Sequence, residues 1–348
     1  MEALERYDLL VDKYLRQARR NNLTPRTLTN YESTTRCFRD FLQKEIASGK
    51  IDGEGGFVTF EDIEAWIDYM TDTLNNKPST VKQRLVTLGQ FFTFATKNYV
   101  PDELRYAESP VSSDFMPKTP DEPIPEILPD EAIIKLWSYK KQYRASDAQF
   151  ARNYALTVLV LTTGIRNMEV RNLRLSDVNF SEREILVTNA KGRKTRIVDM
   201  PGLCVLALEN YLASGARPAT LSDDDYLFGT TAAHEFGSGS KKQEKWHQGS
   251  TAWLSQLIER HVQRQTGYSN CRSHDCRHLF ARINLNATGN LAELQGAMGH
   301  NSPLVTERYS GRLLQRRKRD SAKAVLAARD AAAEELKQKT NKIVTLYA

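Results

Sequence analysis

The sequence predicts a mainly α-helical chain with a small β-sheet (α+β), in which a helical N-terminal domain precedes a mixed C-terminal one. Three observations carry this prediction. Apolar residues recur at three- and four-residue spacing up to Pro101, the signature of amphipathic helices. Seven of the twelve prolines then fall between Pro101 and Pro129, and a ring that fixes φ and removes a donor can neither continue a helix nor pair in a central strand. Finally, EILVTNAKGRKTRIVDMP breaks the helical period with two β-branched runs around a basic, glycine-containing turn, which reads as a hairpin.

The elements follow in order. Residues 1–106 read as three or four amphipathic helices. Thr24-Pro25 supplies an N-cap and a first-turn proline, and Leu28, Tyr31, Phe38, Phe41 and Leu42 form one apolar face. Thr59 starts another helix with Ile63, Trp66, Ile67, Met70 and Leu74 on one side. Ser79 or Thr80 starts a third, carrying Val81, Leu85, Leu88, Phe92 and Ala95. Residues 107–127 read as an extended linker. From 128 the second domain begins with a helix capped by Asp130 that runs through Ile134 and Trp137. An apolar helix, YALTVLVLTT, stops at Gly164, and the hairpin follows it. Helices resume near 201–213, 250–266, 274–286 and 291–298. The polar, Gly/Ser-rich segment 230–250 reads as a loop. Residues 312–338 read as one long helix, basic at its start (RLLQRRKR) and Ala-rich later.

The bulk composition limits the function classes. At 348 residues the chain has room for two or three cores. It is 40% hydrophobic and 26% charged, and no apolar run reaches the roughly 18 residues that span a bilayer. Neither a membrane protein nor a signal peptide is indicated, and a cytoplasmic protein is expected. Four scattered cysteines, Cys37, Cys204, Cys271 and Cys276, form no disulfide framework. A net charge of +6 permits nucleic-acid binding without requiring it.

Several polar residues stand where helix ends and turns converge: Arg166, Lys191, His274, Arg277, His300 and Tyr309. Taken singly, each has a plain structural reading. Arg166 can be a solvated cap. Lys191 sits in a turn where Lys194 competes for any role. Tyr309 can be a half-buried helix residue. Cys271, His274, Cys276 and His278 invite a zinc site, but their spacing matches none of the common ligand patterns, so no metal is expected. On a helix, His274 and Arg277 are i,i+3 neighbours and can receive one set of phosphate oxygens. A continuous helix would put Tyr309 about 13 Å from His300, at ~1.5 Å per residue. Pro303 forces a break that lets the chain bring both to one place.

Taken together, TTGIRNMEVRNLRLSDV, NAKGRKTRIVDMP, SHDCRHLFA and GAMGHNSPLVTERYS, in that order, resemble the tyrosine recombinases of the phage-integrase type. The four boxes span about 128 to 315. TPRTLTNYESTTRCFRDFLQ and PSTVKQRLVTLGQFFTFA look like that family's core-binding domain. The resemblance implies a core-binding domain over 1–106, a catalytic domain over 128–315, and a tail over 316–348 that contacts a neighbouring protomer. The basic start of that tail equally suits DNA. The core-binding helices begin almost at Met1, so no separate arm-binding domain is expected.

The same resemblance implies roles. Arg166 and Arg277 match the two arginines that hold the scissile phosphate, with Glu169 supporting the first. Lys191 matches the hairpin lysine, His300 the position held by histidine or tryptophan, and Tyr309 the nucleophile. Planar guanidinium forks suit non-bridging phosphate oxygens in a way lysine cannot copy. A phenol, with a pKa near ~10, needs a base to attack at neutral pH, and the imidazole of His274 is the candidate. The expected product is a 3′-phosphotyrosyl enzyme with a free 5′-hydroxyl. One phosphoester replaces another, so neither cofactor nor catalytic metal is required. The implied partners are double-stranded DNA with specific core sites, a homotetramer on two duplexes exchanging strands through a Holliday junction, and optionally an accessory DNA-bending protein. The expected location is the cytoplasm, at the nucleoid when bound. A type IB topoisomerase-like enzyme and a catalytically silent DNA-binding accessory protein are the alternatives.

Overall fold

The structure is a computed structural model. It describes residues 2–51, 57–117, 128–141, 146–188, 195–231, 246–269, 271–299 and 316–347, with side chains of the final helix described over 320–338. Lys191, Lys194, His300 and Tyr309 therefore lie outside the described residues. The chain divides into two compact units, Met1–Pro123 and Ile124–Ala348. Both are dominated by helices, and the small sheets lie in the second.

In the first unit, α1 (Ala3–Arg20), α2 (Pro25–Ala47), α3 (Phe60–Asp68) and α4 (Pro78–Ala95) surround one core. Local chemistry sets their starts. The Thr24 hydroxyl accepts the Thr27 N–H at 3.2 Å, with Pro25 as first helical residue. Thr59 and Asp62 form a full capping box, each side chain accepting the other's backbone N–H. Lys77 rather than Ser79 or Thr80 is the N-cap of α4, because Pro78 takes the first helical position, where its missing N–H costs nothing. α3 widens into a π-turn over Tyr69–Thr73. The extra residue shifts the helical phase, and Leu74, expected on the apolar face, is exposed. Tyr7, Leu10, Phe38, Trp66, Leu88 and Phe92 fill the interior, with Phe38 edge-on to Trp66 at 4.9 Å. The described part of the Pro-rich tract adheres to this unit: Val111 packs against Gly89 and Phe115 against Phe60. Apolar residues interleaved with the prolines give that stretch something to bury.

In the second unit, α6 (Asp147–Thr163) is apolar almost all round and is the central helix, as such a pattern requires. Around it stand α5 (Asp130–Trp137), α8 (Gly202–Ala213), α9 (Thr251–Thr266) and α10 (Ser273–Thr288). The short α7 (Asn167–Asn172) follows α6, and α11 (Leu291–Met298) packs on α10. Pro129, not Asp130, holds the N-cap position of α5, and Asp130 supplies negative charge in the first turn.

The strands β1 (Val178–Asn179), β2 (Glu184–Thr188) and β3 (Thr195–Asp199) form an antiparallel sheet in that order. Ile185 pairs with Val198 and Val187 with Arg196. A second ladder, β4 (Gly229–Thr230) with β5 (His247–Gln248), brackets the polar segment. The last helix, α12 (Arg316–Tyr347), packs on α5, α8 and α10 of its own chain, burying Ala322, Val325, Ala333 and Leu336. Ser321 donates a hydrogen bond to Asp130. That apolar stripe is covered here by α5, α8 and α10 of the same chain.

One glycine fixes the junction on which the site is built. Gly164 ends α6 at φ +62°, and a Cβ there would come within 2.3 Å of the Phe280 ring on α10. Left-handed backbone costs an L-residue roughly 1–2 kcal/mol before any overlap is counted. Gly164→Ala is therefore expected to destabilise the second unit by at least about 2 kcal/mol. Thermal unfolding monitored by circular dichroism should show the midpoint falling by several degrees; an unchanged midpoint contradicts this account of the junction.

Candidate active site

The site is assembled at the C-terminal end of α11, where the last carbonyls have no helical partner. Three arginines from three different elements reach those carbonyls. Arg196 on β3 donates through Nε to the Ala297 carbonyl at 3.3 Å. Arg277 on α10 donates through Nη2 to Met298 at 2.6 Å. Arg166, at the N-cap of α7, donates through Nη2 to Gly299 at 2.9 Å. Gly299 itself adopts φ +59°, and a Cβ there would meet the Arg196 guanidinium at 3.0 Å. Only glycine lets the chain turn this closely over an arginine as it leaves α11 toward His300.

Arg277 is buried and also donates through Nη1 to the Gly164 carbonyl, two residues before Arg166. One guanidinium therefore ties the end of α6 to the end of α11. Arg166 is half-exposed and starts α7. There Glu169, at the third helical position, accepts the Arg166 backbone N–H at 2.7 Å and its Nη1 at 3.1 Å.

Glu169 is the one carboxylate bonded to these arginines among the described residues. Burial alone pushes its pKa up. The hydrogen bonds from Arg196 and from the Arg166 backbone, with both guanidinium charges, outweigh that and hold it below the ordinary carboxylate value. Arg196 grips it in a fork, Nη1 to Oε1 and Nη2 to Oε2, both at 2.8 Å. Among the described side chains, three positive charges thus meet one negative charge. The surplus suits an anion with planar oxygens to offer, such as a phosphodiester.

His274 lies in the first turn of α10 and is exposed. Its ring meets that of His278, one turn on, with centroids 4.3 Å apart. Burial, together with the charges of His274 and Arg277, pushes the His278 pKa down to about 4, so this ring is neutral at ordinary pH. It can support its neighbour without competing for a proton. Cys271 and Cys276 face each other, Sγ to Sγ at 3.8 Å, away from any group of three or more potential metal ligands among the described residues. Behind α7 the return of the polar segment is pinned: Arg171 donates to the Gly249 carbonyl and Asn167 to the Thr251 carbonyl.

Arg166, Glu169 and Arg277 are thus brought together, and His274 shares α10 with Arg277. Lys191, His300 and Tyr309 fall outside the described residues; β3 and the end of α11 lead to the first two. Arg196 and His278 are the residues the sequence reading passed over as parts of the site. Arg196 had a signal. In TRIVD the strand alternation must turn either Ile197 or Val198 outward, and Ile197 is 60% exposed while Arg196 shares the inner face with Val198.

Comparison with known proteins places the sequence and the fold. The phage integrase family model matches residues 130–315. The tyrosine recombinase XerC of Oceanobacillus iheyensis is 27% identical over 317 residues, covering 88% of this chain and 92% of the relative. Among solved structures, XerH site-specific recombinase bound to a palindromic difH substrate aligns with a TM-score of 0.66 at 19% identity, over 86% of this chain and 80% of that one. The Tn1549 transposon integrase in complex with transposon right-end DNA aligns at 0.61 and 19% identity, over 93% and 98%. The mainly helical two-part fold is that of the tyrosine site-specific recombinases, DNA-recombining enzymes. This chain belongs to the phage integrase family.

Proposed function

We propose that the chain cleaves and rejoins duplex DNA at short core sites through a covalent 3′-phosphotyrosyl intermediate at Tyr309. The observation that carries this reading is the convergence of Arg166 and Arg277 on the Met298 and Gly299 carbonyls, which lead directly into His300. Boxes far apart in sequence are thereby joined around one cationic point. Arg166 and Arg277 bind the non-bridging oxygens as charge spreads onto them, and Glu169 holds Arg166. The Tyr309 oxygen forms a bond to phosphorus, passing its proton to His274, and the bond to the 5′-oxygen breaks. Lys191 gives the departing 5′-oxygen its proton, and His300 donates a hydrogen bond to the phosphate. Attack by a 5′-hydroxyl from a partner strand reverses each transfer and reseals the backbone. Because bond energy is conserved in the phosphotyrosine, the cycle consumes no nucleotide.

The first unit, by its likeness to a core-binding domain, takes the duplex together with the second. Affinity through phosphate contacts falls with salt. Four protomers on two duplexes then exchange strands in two steps through a Holliday junction, and the DNA-bound relatives support DNA as the partner. The outcome is integration or excision of a mobile element or a related rearrangement, at the nucleoid. Among the described residues no helix is long and apolar enough to cross a membrane.

The test is a suicide duplex carrying a nick close to the cleavage position, built from the DNA flanking the protein's own gene. The short fragment diffuses away, so the adduct accumulates, and peptide mapping should place the phosphodiester on Tyr309. Absence of any adduct on DNA that the protein binds favours the silent accessory protein. Relaxation of supercoiled plasmid by the monomer, with no recombinant product, favours the topoisomerase-like alternative.

A further inference from the structure

Arg196 lies on none of the positions to which a role has been given, yet its whole guanidinium is engaged at the centre of the site. Its fork covers both oxygens of Glu169, and its Nε holds the Ala297 carbonyl. Its side chain is only 15% exposed, against 37% for Arg166. Glu169 sits three residues from Arg166 and is buried and ionised. A buried carboxylate beside a single arginine closes on it in a two-pronged pair, the strongest geometry open to both groups. Arg166 does not make that pair here. Its backbone N–H takes Oε2, its guanidinium offers Glu169 only Nη1 and gives Nη2 to Gly299, and it has no further side-chain acceptor among the described residues.

We propose that Arg196 is a positioning residue for the phosphate-binding arginine. By forking onto both oxygens of Glu169, which Arg166 reaches with one guanidinium N–H and its backbone N–H, it keeps the carboxylate from drawing in the second prong of Arg166 and leaves that guanidinium turned toward the scissile phosphate. This rests on the reading of Arg166 as a phosphate-binding group. Arg196 touches neither substrate nor reacting atoms in this account; it acts through Glu169. Its place on β3 also makes it the link between the hairpin that carries Lys191 and the carbonyls that precede His300.

The test compares Arg196→Ala with the wild-type chain, in single-turnover cleavage at saturating protein, on two suicide duplexes. One has an ordinary scissile phosphodiester. In the other, that phosphate is a methylphosphonate, which is neutral and gives Arg166 much less charge to stabilise. Losing a donor aimed at developing charge costs about 10²–10³-fold. The variant is therefore expected to cut the phosphodiester about 10²-fold more slowly, and the methylphosphonate within about fivefold of wild type. Adding Glu169→Gln, which cannot hold Arg166 as an ion pair, should restore about tenfold on the phosphodiester. An equal penalty on both substrates, or no penalty on either, overturns the proposal, since a loss of folded protein affects both alike. If alanine leaves too little folded chain, Arg196→Lys serves. One ammonium cannot cover both oxygens, and the same substrate-dependent penalty is expected in smaller measure. Should the wild-type chain form no adduct on either duplex, it is the recombinase reading that fails, not the role of Arg196.

Discussion

Tyr309→Phe is expected to bind a core-site duplex as the wild-type chain does and to form no covalent adduct with it. The substitution removes one oxygen and keeps the ring, so packing around position 309 changes little. The loss is chemical. Phenylalanine has no lone pair to offer phosphorus, and water is no substitute in a reaction that must conserve the phosphoester. Deleting a nucleophile elsewhere costs on the order of 10⁶-fold, which here means a rate below detection. Binding should survive because it rests on cations: Arg166 and Arg277 are the phosphate-binding charges of the site, and neither depends on the phenol for its described contacts. Denaturing gels of the suicide complex report the adduct, and fluorescence anisotropy over a salt series reports affinity. Covalent product at anything near the wild-type rate refutes the assignment of Tyr309. Loss of binding in parallel with cleavage makes the tyrosine a packing residue.

Many of the elements in both units were legible in the sequence because their causes are local. Gly164 stops α6 through its own φ, Thr59 and Asp62 start α3 within four residues, and the β-branched runs on either side of 189–194 pair as strands. The convergence of the arginines has no local cause. Arg166, Arg196 and Arg277 meet on the carbonyls at the end of α11, more than a hundred residues from the first two. A guanidinium-to-carbonyl bond between distant segments leaves no periodicity to read.

For the same reason His274 and Arg277, expected to share one receptor face, have different surroundings. Arg277 is drawn inward by two carbonyls, while His274 stays at the surface against His278. The family boxes named Arg166, Glu169, His274 and Arg277 because they are compared as patterns. They could not name Arg196, whose role appears only when its fork is seen on both oxygens of Glu169. The Ala-rich stripe of α12 was legible as apolar, but nothing in its period says whose surface it covers.

Arg277→Ala should cost both rate and stability, and the two costs can be separated. Arg277 is buried and donates to the carbonyls of Gly164 and Met298, so it joins the end of α6 to the end of α11. Without it both carbonyls lose a charged donor, at about 1–3 kcal/mol for each buried acceptor left unsatisfied. Removing one of three clustered cations relieves some mutual repulsion, which trims this cost. The net expectation is a fall of several degrees in the thermal midpoint. The catalytic cost is larger: one phosphate fork disappears and the peptide leading to His300 loses its anchor, so single-turnover cleavage should drop at least 10²–10³-fold, about the value of one preorganised donor. Arg277→Lys separates the two effects. An ammonium keeps the charge and can satisfy one carbonyl, but it cannot span Gly164 and Met298 while presenting a planar pair of donors to phosphate. Lysine should therefore recover most of the stability and little of the rate. If cleavage by the lysine variant, measured well below its midpoint, returned to within a fewfold of wild type, Arg277 would be a structural tie and the phosphate would rest on Arg166 alone.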